Sequence, residues 1–122
     1  LYDNPLLGIG IGRFQTMYLA YQEHFPLYLE WAVPQPHNLY LALWLETGFV
    51  GLAGFIFIVS IWLKKMLILW RSSVQDEYIK KTSALFIALM ALFLFLGLTD
   101  TPFFKTDLAF IFWFILALGV AF

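Results

Sequence analysis

The chain has 122 residues, of which 62% are hydrophobic and 12% are charged. Soluble domains are about half apolar and roughly a quarter charged, so this composition excludes an ordinary soluble domain and indicates a membrane protein. A net charge of −1 gives no sign of nucleic-acid binding, and the lack of cysteine excludes disulfides and thiolate metal sites.

Residues 1–38 are predicted to form a loop that contains a helix lying along the membrane interface. The turn signal Asn4-Pro5 is followed by three glycines that alternate with apolar residues. Apolar side chains then recur at helical spacing, at Phe14, Met17, Tyr18, Tyr21 and Phe25. With aromatic residues on one side and polar residues on the others, this helix is predicted to be amphipathic and interfacial.

Three apolar segments are predicted to cross the membrane, at residues 39–63, 82–98 and 107–122. The first, about 25 residues long, covers roughly 37 Å as a helix, enough for a hydrocarbon core of about 30 Å. A polar connector at 64–81 and a short turn at 99–106 join them. We therefore predict an all-α membrane protein with three transmembrane helices.

The chain begins at Leu1 and stops inside an apolar run at Phe122, so we interpret it as a fragment of a larger polytopic protein, with the third span truncated.

The distribution of basic residues predicts the orientation. The connector holds most of the Lys and Arg residues of the chain, namely Lys64, Lys65, Arg71, Lys80 and Lys81. By the positive-inside rule this connector is cytoplasmic. Residues 1–38 and the turn at 99–106 are then extracytoplasmic.

His37 stands at the outer end of the first predicted span. Pro34 and Pro36 give it a rigid, extended approach, and Asn38 is predicted to cap the helix. An imidazole at the boundary between water and membrane can exchange protons near neutral pH. The residues alone leave two interpretations open, a hydrogen bond that supports the helix start or a functional proton carrier.

Two further charged residues are candidates. Glu46 lies within the first span, where a carboxylate must face protein or water, so it is either a functional residue or a buried structural one that pairs with Arg13 or another basic group. Arg13 either binds a phosphate, for which the forked guanidinium of arginine is well shaped, or is an ordinary interfacial residue. His24 and His37 have no further His or Cys beside them in the sequence, so no metal site is expected.

The spacing of one motif resembles the O-antigen ligase family. His37-Asn38 is followed after nine residues by Gly48-x-x-Gly51-x-x-Gly54, similar to the family's His-Asn-x9-Gly-x-x-Gly-x-x-Gly. The upstream segment Asn4-Pro5-Leu6-Leu7-Gly8-Ile9-Gly10, with Phe14, resembles the segment that opens the large periplasmic loop in this superfamily of O-antigen ligases, O-antigen polymerases and O-linked oligosaccharyltransferases.

The resemblance implies a metal-independent glycosyltransferase without cofactors at the outer face of the bacterial inner membrane. The donor would be a glycan on undecaprenyl diphosphate, and the acceptor a lipid A–core sugar, a growing glycan or a protein hydroxyl. Of the residues in this chain, only His37 matches the family's essential position, and it would act as base or orient the acceptor. Arg13, Asn38 and Glu46 are candidates for substrate binding on their own chemistry and position.

Two rival hypotheses remain open at this point. In a transporter or flippase, Glu46 would be the coupling or substrate residue and His37 a gate. In a helix-packing module the small residues after Thr47 would serve close helix contact, with no chemistry of their own.

Overall fold

The computed structural model describes residues 4–22, 24, 36–72, 76–102 and 106–121. In these ranges the chain forms four α-helices: α1 (Phe14–Gln22), α2 (Leu39–Ser72), α3 (Glu77–Leu96) and α4 (Thr106–Ala121). None of the described residues lies in a β-strand. The all-α prediction is confirmed.

Two of the three predicted spans are long and apolar enough to cross a membrane. Only 17% of the most apolar stretch of α2 and 22% of that of α3 are buried, whereas a core helix of a soluble protein would be mostly covered. The third predicted span is the shorter α4, whose apolar part covers Leu108–Ala121. Of the three predicted spanning helices, α2 and α3 are therefore long enough to cross a membrane, and α4 is shorter.

The observed helix boundaries differ from the sequence estimate at the basic connector. We expected the first span to end before Lys64, but α2 continues through both lysines to Ser72. The reason is packing, since Met66 is fully buried in the core. After the connection, Asp76 caps α3 with a carboxylate oxygen that accepts from the backbone N–H groups of Tyr78 and Ile79, at 3.1 and 3.2 Å.

The core lies where α2, α3 and α4 meet. Its buried members are mostly large apolar side chains from all three helices: Leu39, Leu43, Val59, Trp62, Met66, Phe86, Met90, Phe93, Phe112, Ile115 and Leu116. The rings of Phe93 and Phe112 pack with centroids 4.9 Å apart. Gly119 allows α4 to approach α2, because a Cβ there would collide with the indole of Trp62.

A kink at Gly48 divides α2 into two parts. Its φ of 71° and ψ of −174° are not helical, and its φ lies in the left-handed region that only glycine adopts readily. Because of the kink, the N–H groups of Phe49 and Val50 donate to the carbonyls of Pro5 and Leu6, at 3.0 and 3.3 Å. The N-terminal loop thus supplies acceptors where the helix has none.

The same loop also supplies donors to the other side of the kink. The carbonyls of Leu45 and Glu46 accept from the N–H groups of Ile9 and Gly10, at 2.8 and 2.9 Å. These four backbone bonds hold the loop against α2, and the lack of a side chain on Gly8 permits the close approach.

Candidate active site

His37 and Asp100 lie side by side where α2 begins and α3 has ended. The Nδ1 atom of His37 is 3.9 Å from Oδ1 of Asp100, and the two side chains are 79% and 37% exposed. This separation is within the range of an ion pair but longer than a hydrogen bond. Asp100 Oδ1 also accepts from the backbone N–H of Thr101 at 2.8 Å, which directs the carboxylate. The site therefore pairs a solvent-accessible imidazole with an acidic group.

Asn38 connects the start of α2 to the end of α3. Its Oδ1 accepts from the N–H of Leu41 at 3.0 Å, which confirms the predicted helix cap. Its Nδ2 donates to the carbonyl of Leu98, also at 3.0 Å. One side chain thus holds His37 at a helix start and fixes that start beside the segment that carries Asp100.

Two more bonds strengthen this junction. The N–H of Leu39 donates to the carbonyl of Gly97 at 2.8 Å, and the hydroxyl of Tyr40 donates to the carbonyl of Leu94 at 2.9 Å. Orphan donors at the start of α2 and orphan acceptors at the end of α3 therefore satisfy each other. Sequence reasoning put Asp100 on the same side as His37 but gave no signal that they are neighbours, since this junction is tertiary.

Glu46 faces protein, as its position in the span requires, and is only 4% exposed. Its Oε2 accepts from the backbone N–H of Gly12 at 3.1 Å. Arg13 is exposed, and its aliphatic stem lies beside Gly10. Glu46 lies just before the kink at Gly48 and accepts a hydrogen bond from the loop backbone. His37 lies before the start of α2, beside Asp100. The structure does not bring these two candidates together.

A small aromatic groove lies between the loop and α1, directly after Arg13 in the chain. It encloses about 240 Å³, and the rings of Phe14 and Tyr18 stack along it with centroids 5.9 Å apart. No residue of α1 is buried, so its aromatic face is available to a ligand or to lipid. The predicted interfacial position of α1 stays a prediction.

The described residues contain no group of three or more His, Cys, Asp or Glu side chains close enough together to hold a metal ion.

Comparison with known proteins gives one match. Residues 1–56 match the family model described as O-antigen ligase, a range that includes His37, Asn38 and the part of α2 that carries Gly48, Gly51 and Gly54. The resemblance is therefore confirmed over this part of the chain, and it supports a glycan-ligase type of function. Neither the curated proteins nor the solved structures yield a match.

Proposed function

We propose that this chain, with the O-antigen ligase signature in residues 1–56, takes part in transferring a glycan from a polyprenyl diphosphate to an acceptor hydroxyl. The observation that carries the proposal is the exposed imidazole of His37, fixed at a helix start 3.9 Å from Asp100. A group that removes a proton from an acceptor must be accessible and held in place, and His37 meets both conditions.

In the proposed reaction the acceptor oxygen attacks the anomeric carbon of the donor sugar. The bond from that carbon to the diphosphate oxygen breaks, and the diphosphate leaves with the electron pair. His37 takes the acceptor proton on Nε2, because Nδ1 lies toward Asp100. The Asp100 carboxylate stabilises the imidazolium that forms.

For the donor, we assign the diphosphate to Arg13. Its guanidinium can bond two phosphate oxygens at once. The aromatic groove that starts at Phe14 offers an apolar surface beside it. The predicted substrate-binding roles of Asn38 and Glu46 have less support, since Asn38 bonds Leu41 and Leu98 and Glu46 is buried; their contacts favour positioning of the helix start and the loop.

The proposed location is the bacterial inner membrane, with residues 1–38 and His37 outside. The support is the cluster of basic residues at the opposite end of α2 and at the start of α3, which the positive-inside rule assigns to the cytoplasm.

The experiment that tests this function is transfer in vitro by the full-length protein, from a polyprenyl-diphosphate-linked glycan to its acceptor. We expect His37→Gln to lower the rate by about 10²–10⁴-fold, the usual contribution of a general base. His24→Gln, an exchange of the other histidine of the chain, serves as the control and should leave the rate unchanged. A His37→Gln enzyme with wild-type activity contradicts the proposal.

We propose that transfer needs no metal ion. In the same assay EDTA should leave the wild-type rate unchanged; a loss that added Mg²⁺ restores would show that the reaction depends on a metal.

A further inference from the structure

A second groove, away from His37, opens between α2 and α4 and encloses about 600 Å³. Trp62 forms its floor and is held there because the indole N–H donates to the carbonyl of Leu116 at 3.1 Å. Trp113, 53% exposed, and Ile61, 54% exposed, stand at its sides. The groove is thus a preformed apolar depression on the outer surface of α2 and α4.

One end of this groove carries a positive charge. Lys65 is the charged residue among those that line it, and its Nζ donates to the carbonyl of Val120 at 2.8 Å. This bond holds the ammonium at the mouth of the groove. An ammonium has three donors, so a bond to Val120 is compatible with further bonds to a ligand. Lys64, which is exposed, adds a second positive charge next to it.

We propose that this groove binds an anionic phospholipid of the bilayer, with an acyl chain between Trp62 and Trp113 and the phosphate at Lys65. An apolar groove with a cation at one end complements such a lipid, whose apolar acyl chains end at an anionic phosphate. Lysines that follow an apolar stretch lie where the lipid headgroups lie. The groove is outside residues 1–56, so this inference does not rest on the proposed function.

The lipids that the full-length protein retains test whether Lys65 binds the phosphate of an anionic phospholipid. The protein is reconstituted in nanodiscs of equal phosphatidylcholine and phosphatidylglycerol, extracted gently, and its retained lipids are quantified by mass spectrometry. We expect Lys65→Gln to lower the ratio of retained phosphatidylglycerol to phosphatidylcholine about fivefold, the effect of one lysine at an anionic surface. Lys80→Gln removes the same charge from α3 and should leave the ratio unchanged.

A second variant tests the apolar groove. Ala117 lines the groove, so Ala117→Phe should fill it and reduce labelling of the α4 peptide by a phospholipid with a diazirine in its acyl chain. Ala91→Phe, on an exposed position of α3, is the matched control. The proposal is overturned if Lys65→Gln retains as much phosphatidylglycerol as the wild type, or if a photo-crosslinker at position 117 captures another segment of the same protein.

Discussion

At the scale of single residues, the site depends on which polar side chains form structural hydrogen bonds and which remain accessible to a substrate. Asn38 uses its oxygen to cap α2 and its amide nitrogen to bond the carbonyl of Leu98. That leaves His37, one position earlier, outside the helix and accessible to water. Asn38 thus forms the structural hydrogen bonds, and the imidazole of His37 stays available for a substrate.

The role of Asp100 can be separated from that of His37. We expect Asp100→Asn to keep the bond from the Thr101 N–H but to remove the negative charge, so transfer should slow by roughly tenfold because the imidazolium loses its stabilisation. Rates are measured with the full-length enzyme across pH 5–9, with Asp76→Asn, in the α3 cap, as the control. A rate and pH profile identical to those of the wild type would show that Asp100 does not act on His37.

The two bonds of Asn38 can also be tested one at a time. Asn38→Ala loses the cap and should lower the free energy of unfolding by about 1 kcal/mol, with a further loss from the unpaired Leu98 carbonyl. Asn38→Asp keeps an acceptor at the helix start but loses the donor to Leu98, so we expect it to lie between Asn38→Ala and the wild type. Thermal unfolding of the purified protein in detergent measures both, and equal stability of all three would contradict the proposed junction.

At the scale of elements, the kink in α2 is the feature that shapes the site. Gly48 interrupts the helix, and the loop formed by residues 4–13 supplies both the donors and the acceptors that the interruption leaves without helical partners. Glu46 adds a side-chain bond to Gly12. The loop, and with it Arg13 at the start of α1, is therefore held against α2 mainly by backbone bonds.

Substitutions of two glycines in the same helix test this arrangement. Gly48→Ala puts a side chain at a φ of 71° and a ψ of −174° and against the Leu6 carbonyl. This backbone region is essentially confined to glycine, and it costs another residue roughly 1–3 kcal/mol. We expect lower thermal stability and faster proteolysis within residues 4–13. Gly54→Ala is the control, since nothing lies within 4 Å of its Cβ position and alanine favours the helix. Equal proteolysis of the two variants would mean that the loop does not depend on the kink.

At the scale of the whole molecule, the long helices expose most of their apolar surface, and most of the basic residues lie at one end. Exposed residues such as Phe57, Phe95 and Phe110, each more than 60% accessible, suit contact with lipid or with further helices. At the basic end Lys81 forms an ion pair with Glu77 at 2.8 Å, which is exposed and adds little stability.

The orientation can be tested by labelling with a membrane-impermeant thiol reagent in intact cells. This chain has no cysteine, so single cysteines can be introduced at exposed positions, Gln15 on α1 and Ser72 at the end of α2. We expect Gln15→Cys to be labelled and Ser72→Cys to be labelled only after the cells are permeabilised. The reverse result would place His37 in the cytoplasm and end the proposal of transfer at the outer face.

The sequence by itself determined the class of the protein and several local features. Composition and apolar length set the all-α membrane architecture, because a bilayer admits helices whose backbone bonds are internal. Local chemistry set the cap at Asn38, since a short polar side chain before an apolar run satisfies free N–H groups. The spacing from His37-Asn38 to Gly48 carried the family resemblance.

Only the tertiary structure decided which of these features meet. Asp100 lies beside His37 because the end of α3 bonds the start of α2 through Gly97 and Leu98, a contact between residues about sixty positions apart that no periodicity encodes. Likewise, Glu46 bonds Gly12 and not Arg13 because the kink at Gly48 draws the loop backbone against the helix. Local patterns fix how each segment folds, and packing between segments fixes which side chains become partners.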